Sequence, residues 1–250
     1  MIQIILLSAC HSVKNKDTLT GDTADTAFVD NLAICEDLTP VSCEDDLILD
    51  LGLQDSVSDG NVSTTNDGGD FLTYVDATAG GYQNSASNPW VYVKFTHQGA
   101  EKVEISDEDA LQSANWDMSL KRFLIRLNGG SSGPSCVGSA VFFEQSYETL
   151  TEAPQGVSYV LDNYYTTDCS IINDSSGLPN SPQTAMSPWW EYPGCVATTG
   201  HPFIIQLANG ELIKLVVEAY YAENQDECNS TGAMGSGSAN FTMRWQYLDL

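Results

Sequence analysis

The chain has 250 residues, 42% of them hydrophobic. That is enough to bury a sizeable core as one large β domain or two small ones, and it excludes a mini-protein held together by disulfides alone. Nine Lys and Arg stand against 34 Asp and Glu, a formal net charge of -25, and a surface of that sign repels nucleic acid and anionic lipid headgroups. No run of about 18 apolar residues occurs, so no membrane-spanning helix is expected.

In chain order, the first ten residues form an apolar stretch, Ile2 to Ala9, that ends at Cys10. Small residues before a Cys at the end of such a stretch resemble the lipobox of bacterial lipoproteins. The resemblance implies that Cys10 becomes the first residue of the mature chain and carries a lipid, the sole membrane attachment. No Lys or Arg precedes the stretch, which places the expected start of translation upstream; a β-strand or buried segment is the competing reading. Residues 11–30, rich in Thr, Asp, Ser and Lys, cannot bury enough apolar surface to order themselves and read as a flexible tether that includes His11. Residues 31–70 read as an acidic, Cys-containing extension, and residues 71–250 as the β domain proper. The Asp/Asn/Gly-rich stretch Asp55 to Asp70 offers oxygen ligands to Ca²⁺, but it lacks the spacing and terminal Glu of an EF-hand and reads as a solvated loop.

With Cys10 set aside, six cysteines remain: Cys35, Cys43, Cys136, Cys169, Cys195 and Cys228. An even number in an exported chain suggests three disulfides. Proximity in sequence favours Cys35 with Cys43, then Cys136 with Cys169 and Cys195 with Cys228. No C-x-x-C pair supports a zinc site.

Strand signals recur through the rest of the chain. Alternation in Trp90 to Phe95 puts Val91, Val93 and Phe95 on one face and Trp90, Tyr92 and Lys94 on the other, a half-buried strand. Lys121 to Leu127 repeats the pattern, with Phe123, Ile125 and Leu127 inward. Ser106 to Ser113 is the one helical segment, with Ser106 and Asp109 as a weak capping box. Pro202 to Tyr221 reads as a hairpin whose Asn209-Gly210 suits a tight type I′ turn. Gly232 to Ser238 reads as a flexible loop before a last alternating strand, Asn240 to Leu248.

The central run Asn115 to Gly133 contains Trp116-Asp117, Arg122, Arg126, Asn128, Gly129-Gly130 and Ser132-Gly133. It resembles the signature of the HmuY-type haem-binding lipoproteins. Asp76-Ala77-Thr78, Trp190-Glu191-Tyr192 and Asn209-Gly210-Glu211-Leu212-Ile213-Lys214 resemble further segments of that family in the same order, so the likeness spans about Phe71 to Leu248. Read physically, the motif is a corner. Trp116 stacks on the core, Asp117 bonds a neighbouring backbone group or Arg122, and the glycines permit a sharp turn. The resemblance implies an all-β fold, a single mostly antiparallel domain with long loops and at most one or two short helices. It also implies lipid attachment at the bacterial outer membrane or cell surface, and iron acquisition by capture of haem, free or from a haem-carrying protein, between two axial side chains.

The family's two His ligands lie before and just after the W-x-Y segment, and the matching stretches here, Asp162 to Ala185 and Pro193 to Thr199, contain no His. Met186 and His201 are therefore the candidate iron ligands; His97 reads as a turn residue. Trp189, Trp190 and Tyr192 could line an apolar cleft or belong to the core. Arg122, Arg126, Lys121, Lys94 and Lys214 could offset the acidic field for the haem propionates. Nucleophile elbows, H-E-x-x-H, Walker and Rossmann fingerprints are absent, so a binding protein is expected and not an enzyme. The competing function is a non-haem binding or adhesion module, with a protein, glycan or Ca²⁺-dependent partner, on the same scaffold.

Overall fold

The computed structural model describes residue 35, residues 37–178 and residues 181–249. The expected lipobox with Cys10 and the tether with His11 lie outside the described residues. The elements run in the order α1 (Glu44–Asp50), β1 (Val62–Asp67), β2 (Asp70–Asp76), β3 (Val91–Thr96), β4 (Gly99–Val103), α2 (Asp107–Ala110), β5 (Met118–Lys121), β6 (Leu124–Leu127), β7 (Gly138–Val141), β8 (Trp190–Glu191), β9 (Ala197–Thr198), β10 (Phe203–Gln206), β11 (Leu212–Glu223), α3 (Gln225–Thr231) and β12 (Ser236–Leu248). All strand pairings are antiparallel. The all-β class expected from sequence is what the chain adopts, with three α-helices of at most seven residues among the described residues.

Two sheets face each other. A six-stranded sheet has the order β1-β2-β12-β11-β10-β7, and a four-stranded sheet the order β4-β3-β5-β6. On one side Thr64 joins them, its hydroxyl donating to the Ala100 carbonyl (2.9 Å) and accepting from the Ala100 N–H (3.1 Å). On the other side the chain passes from β6 to β7 through a bridge between Gly129 and Cys136. Between the sheets lie Val91, Val93, Phe95, Met118, Leu120, Ile125, Phe203, Ile213, Phe241, Met243 and Trp245, all buried. A Trp buried there removes roughly 150–250 Å² from water, about 4–6 kcal/mol before ordering entropy.

β3 departs from the half-buried expectation because its outer face is covered as well. Trp90 and Tyr92 pack in a second core with Trp116, Tyr164, Tyr165, Leu111 and, from α1, Leu47. The expected single strand from Lys121 to Leu127 is instead the β5–β6 hairpin, with Lys121 opposite Leu124. Arg122 takes φ 55° at its turn, held by bonds from its guanidinium to the Thr78 carbonyl (3.2 Å) and the Ser238 hydroxyl (2.8 Å). Period-2 alternation survives a two-residue reversal, so the pattern alone could not reveal it. The β10–β11 hairpin forms as expected, but Asn209 keeps a negative φ. Leu207 bonds Glu211 across three intervening residues and Gly210 alone has positive φ, so the turn is not type I′.

The segment 31–70 was expected to stand outside the β domain, with its Asp/Asn/Gly stretch a loop. Instead, β1 adds to the main sheet through Val62-Ser-Thr-Thr, whose β-branched residues suit a strand, and the boundary at 70/71 falls inside the β1–β2 hairpin. Residues 225–231 form α3, and the expected loop up to Ser238 already contains the start of β12.

The cysteines pair as Cys35–Cys136, Cys43–Cys169 and Cys195–Cys228. The last agrees with expectation, and the first two correct it. Cys35 donates its N–H to the Ala208 carbonyl (3.0 Å) and Thr39 to the Pro134 carbonyl (2.8 Å), which sets Cys35 beside Cys136. Cys43 instead caps α1 against the second core, beside Cys169.

Candidate functional site

The W-D corner is a support. The Trp116 indole donates to the Ala110 carbonyl (2.9 Å), and Asp117 accepts from the Phe95 N–H (2.8 Å) and from Lys94 Nζ (3.3 Å), not from Arg122. Burial pushes the Asp117 carboxyl up, with Lys94 opposing. Asn128 donates to the Ser113 and Trp116 carbonyls. Arg126 is fully buried, its guanidinium 4.7 Å from the Trp90 ring and bonded to the Ser132 carbonyl at 2.7 Å.

From this corner the network reaches Asp162. Its buried carboxylate accepts from Ser132 Oγ, from the Leu127 N–H (3.0 Å) and from the Ala185 N–H (2.7 Å), while its backbone carbonyl accepts from Ser131 (2.7 Å). Burial raises the Asp162 carboxyl, and these donors oppose the rise. Gly130 lies so close that a Cβ there would stand 2.0 Å from the Asp162 carbonyl.

Asp162 thereby ties together the two walls of a cleft of about 1020 Å³. β7 forms its floor through Ser139, Ala140 and Val141. One wall is residues 158–163 with 172–176, joined to the floor by reciprocal bonds between Ser139 and Val160 (3.0 and 2.8 Å). The other wall is residues 183–193. There a 3-10 turn at Ser187–Trp189 precedes β8, and the β8–β9 ribbon closes on the Cys195–Cys228 disulfide. Val160, Leu161 and Tyr192 expose apolar surface at the cleft, 58, 37 and 44%. Size and lining suit a small molecule with an apolar face.

The expected site residues fall unevenly around this cleft. Met186 lies between two lining residues, Ala185 and Ser187, but its side chain is 0% exposed and belongs to the sandwich core. His201 is half-buried with its ring 5.1 Å from Phe143, and it does not line the cleft. The structure does not bring the two together at the cleft. His97 is exposed, bonded to Glu211 (2.9 Å) and stacked on Tyr247. Of the three aromatic residues left open between cleft and core, Tyr192 lines the cleft, Trp189 is core, and Trp190 touches the cleft while packing in the core at 7% exposure. Val160, Leu161 and the edge of β7 went unrecognised, since nothing in their local pattern separates a cleft wall from a loop.

The proposed cationic compensation is also placed elsewhere. Lys121 donates to the Leu51 and Gly52 carbonyls, Lys214 to the Tyr147 carbonyl, Arg122 and Arg126 are bonded as above, and Lys94 pairs with Asp117. Among the described lining residues there is no Lys, Arg, His, Met or Cys; the charged ones are Asp174 and Glu191. Among the described residues no cluster of His, Cys, Asp or Glu is placed to hold a metal ion, and no helix is long and apolar enough to cross a membrane.

The described residues thus form a two-sheet antiparallel domain with a partly apolar cleft whose walls are tied together by Asp162. Residues 86–231, more than half the chain, match the HmuY protein family, and the chain belongs to that family. Among solved structures it is similar to a candidate HmuY-like haem-binding protein from Bacteroides vulgatus, at 17% identity over 76% of this chain and 98% of that one, TM-score 0.46. It is also similar to a candidate lipoprotein from Bacteroides fragilis (16%, 75% and 96%, TM-score 0.43). A third is the apo form of an HmuY analogue from Tannerella forsythia (12%, 78% and 100%, TM-score 0.42). No curated protein matches the chain.

Proposed function

We propose that this protein captures haem at the bacterial surface, tethered through a lipid on Cys10, and holds it in the cleft between residues 158–163 and 183–193. The observation that carries the reading is the cleft itself, prearranged by Asp162 and built on the family's corner motif. Its Val160, Leu161 and Tyr192 surfaces suit the faces of a porphyrin. The cleft is open to solvent, so the propionates can stay in water and need no cation in the lining. Binding, not catalysis, is the role this arrangement serves.

The donor set is oxygen only. It fits ferric iron through an anionic oxygen and does not fit the thioether and imidazole pair expected of Met186 and His201, which would require the 3-10 turn at Ser187–Trp189 to open. A lining without a cation favours a second reading, a neutral apolar-faced ligand on the same scaffold. Titration of the purified protein with hemin separates the two. A Soret band shifted from that of free hemin, together with a raised melting temperature, is the expected result, and no shift beyond that of a non-binding acidic control protein leaves the second reading.

A further inference from the structure

We infer that Tyr192 is the iron-binding residue of this cleft, and that the site is selective for ferric haem; the inference rests on the haem reading above. Three groups in the described lining can present an anionic oxygen to iron: Asp174, Glu191 and Tyr192. Both carboxylate oxygens of Asp174 are occupied. Oδ1 accepts from the Ser176 N–H (3.0 Å) and hydroxyl, and Oδ2 from the Ser181 hydroxyl (2.7 Å). Glu191, exposed on β8, also lines the cleft, but a carboxylate is not among the usual protein donors to haem iron, whereas a tyrosine oxygen is. Tyr192 follows directly after β8 and lines the cleft. It is 44% exposed, and its ring stands 6.4 Å from that of Trp190 at 81°.

The segment carrying Tyr192 is fixed in place. The Cys195–Cys228 disulfide ties it to α3, the Val196 N–H donates to the Tyr221 hydroxyl (3.1 Å), and Gly194 lies against Gly232, where a Cβ would come within 2.9 Å of the carbonyl oxygen. A rigid aromatic donor at a cleft mouth loses little freedom on binding.

The chemistry follows from the phenol. As its oxygen replaces a water bound to ferric iron, the iron–water bond and the phenol O–H bond break, and the water and one proton leave to solvent with no change of oxidation state. Phenolate is a hard, anionic donor that offsets the positive charge of ferric haem and has much less affinity for ferrous iron. Binding therefore releases a proton and should weaken on reduction.

The test is titration of the full chain with hemin, with and without dithionite, for wild type, Tyr192→Phe, His201→Ala and Met186→Leu. Expected in wild type is a high-spin ferric spectrum with a phenolate charge-transfer band, lost on reduction. Tyr192→Phe should lose that band and at least about tenfold in affinity, while His201→Ala and Met186→Leu leave both unchanged. Iron-free protoporphyrin IX serves as the fold control and should bind wild type and Tyr192→Phe alike. A hemin spectrum that survives Tyr192→Phe, or a low-spin one abolished by His201→Ala or Met186→Leu, overturns the assignment and leaves haem capture standing. Failure of wild type to bind hemin at all overturns the haem reading itself.

Discussion

Lys121 is the side chain whose position its sequence context most conceals. Alternation put it on a strand with its charge available to a ligand. In the fold it reaches across to the Leu51 and Gly52 carbonyls, just past the end of α1, and lies almost wholly buried. Burial lowers its pKa from 10.5 to about 8, against the pull of Asp107. Between pH 8 and 10.5 the unfolded chain holds this proton more tightly than the folded one, so stability contributed at this site rises with pH across that window. Denaturation at pH 7.5 and pH 9.5 should show wild type gaining relative to Lys121→Met; parallel curves would mean that Lys121 is not desolvated. The structural role expected for Trp116, Asp117, Arg126 and Asn128 was legible from residue type, since a Trp-Asp pair and an Asn-Gly-Gly turn have few other uses. Their partners were not, because Phe95 and Asp162 come from distant parts of the chain.

Among elements, those with local signals were readable: the final strand with Phe241, Met243 and Trp245 all inward, the β10–β11 hairpin, and α2, whose Ser106 hydroxyl accepts from the Asp109 N–H (3.1 Å). α1 was missed because one apolar turn, with Leu47 its sole buried residue, becomes a helix by docking on the second core. Its docking is reinforced by Cys43–Cys169, which spans 126 residues, a pairing that no spacing rule suggests. In a chain-entropy view a cross-link of that span stabilises by about 4–5 kcal/mol. The double variant Cys43→Ala, Cys169→Ala should accordingly unfold at clearly lower denaturant. Hydrogen exchange should show added opening in residues 44–50 and 164–172 and little in β11 and β12. Uniform loosening of the main sheet would contradict the separate status of the two cores.

For the molecule as a whole, charge is the dominant global property. Every Lys and Arg among the described residues (Lys94, Lys102, Lys121, Arg122, Arg126, Lys214 and Arg244) is committed to a carboxylate, carbonyl or hydroxyl. The excess acid therefore faces water with little to oppose it, and self-repulsion works against compactness. Raising NaCl from about 0.01 M to 1 M shortens the Debye length from roughly 30 to 3 Å and should raise the melting temperature. A fall would mean that the Arg244 pairs with Asp67, Asp70 and Glu218 outweigh the repulsion. By itself the sequence determined the β class, the disulfide-bonded character and the family corner, because composition, alternation and a contiguous motif are properties of neighbours along the chain. The cleft, the true pairing of Cys35 and Cys43, the burial of Met186 and the isolation of His201 were decided by the tertiary structure. Each depends on which distant segments meet, and that is set by how two sheets and a second core close around one another.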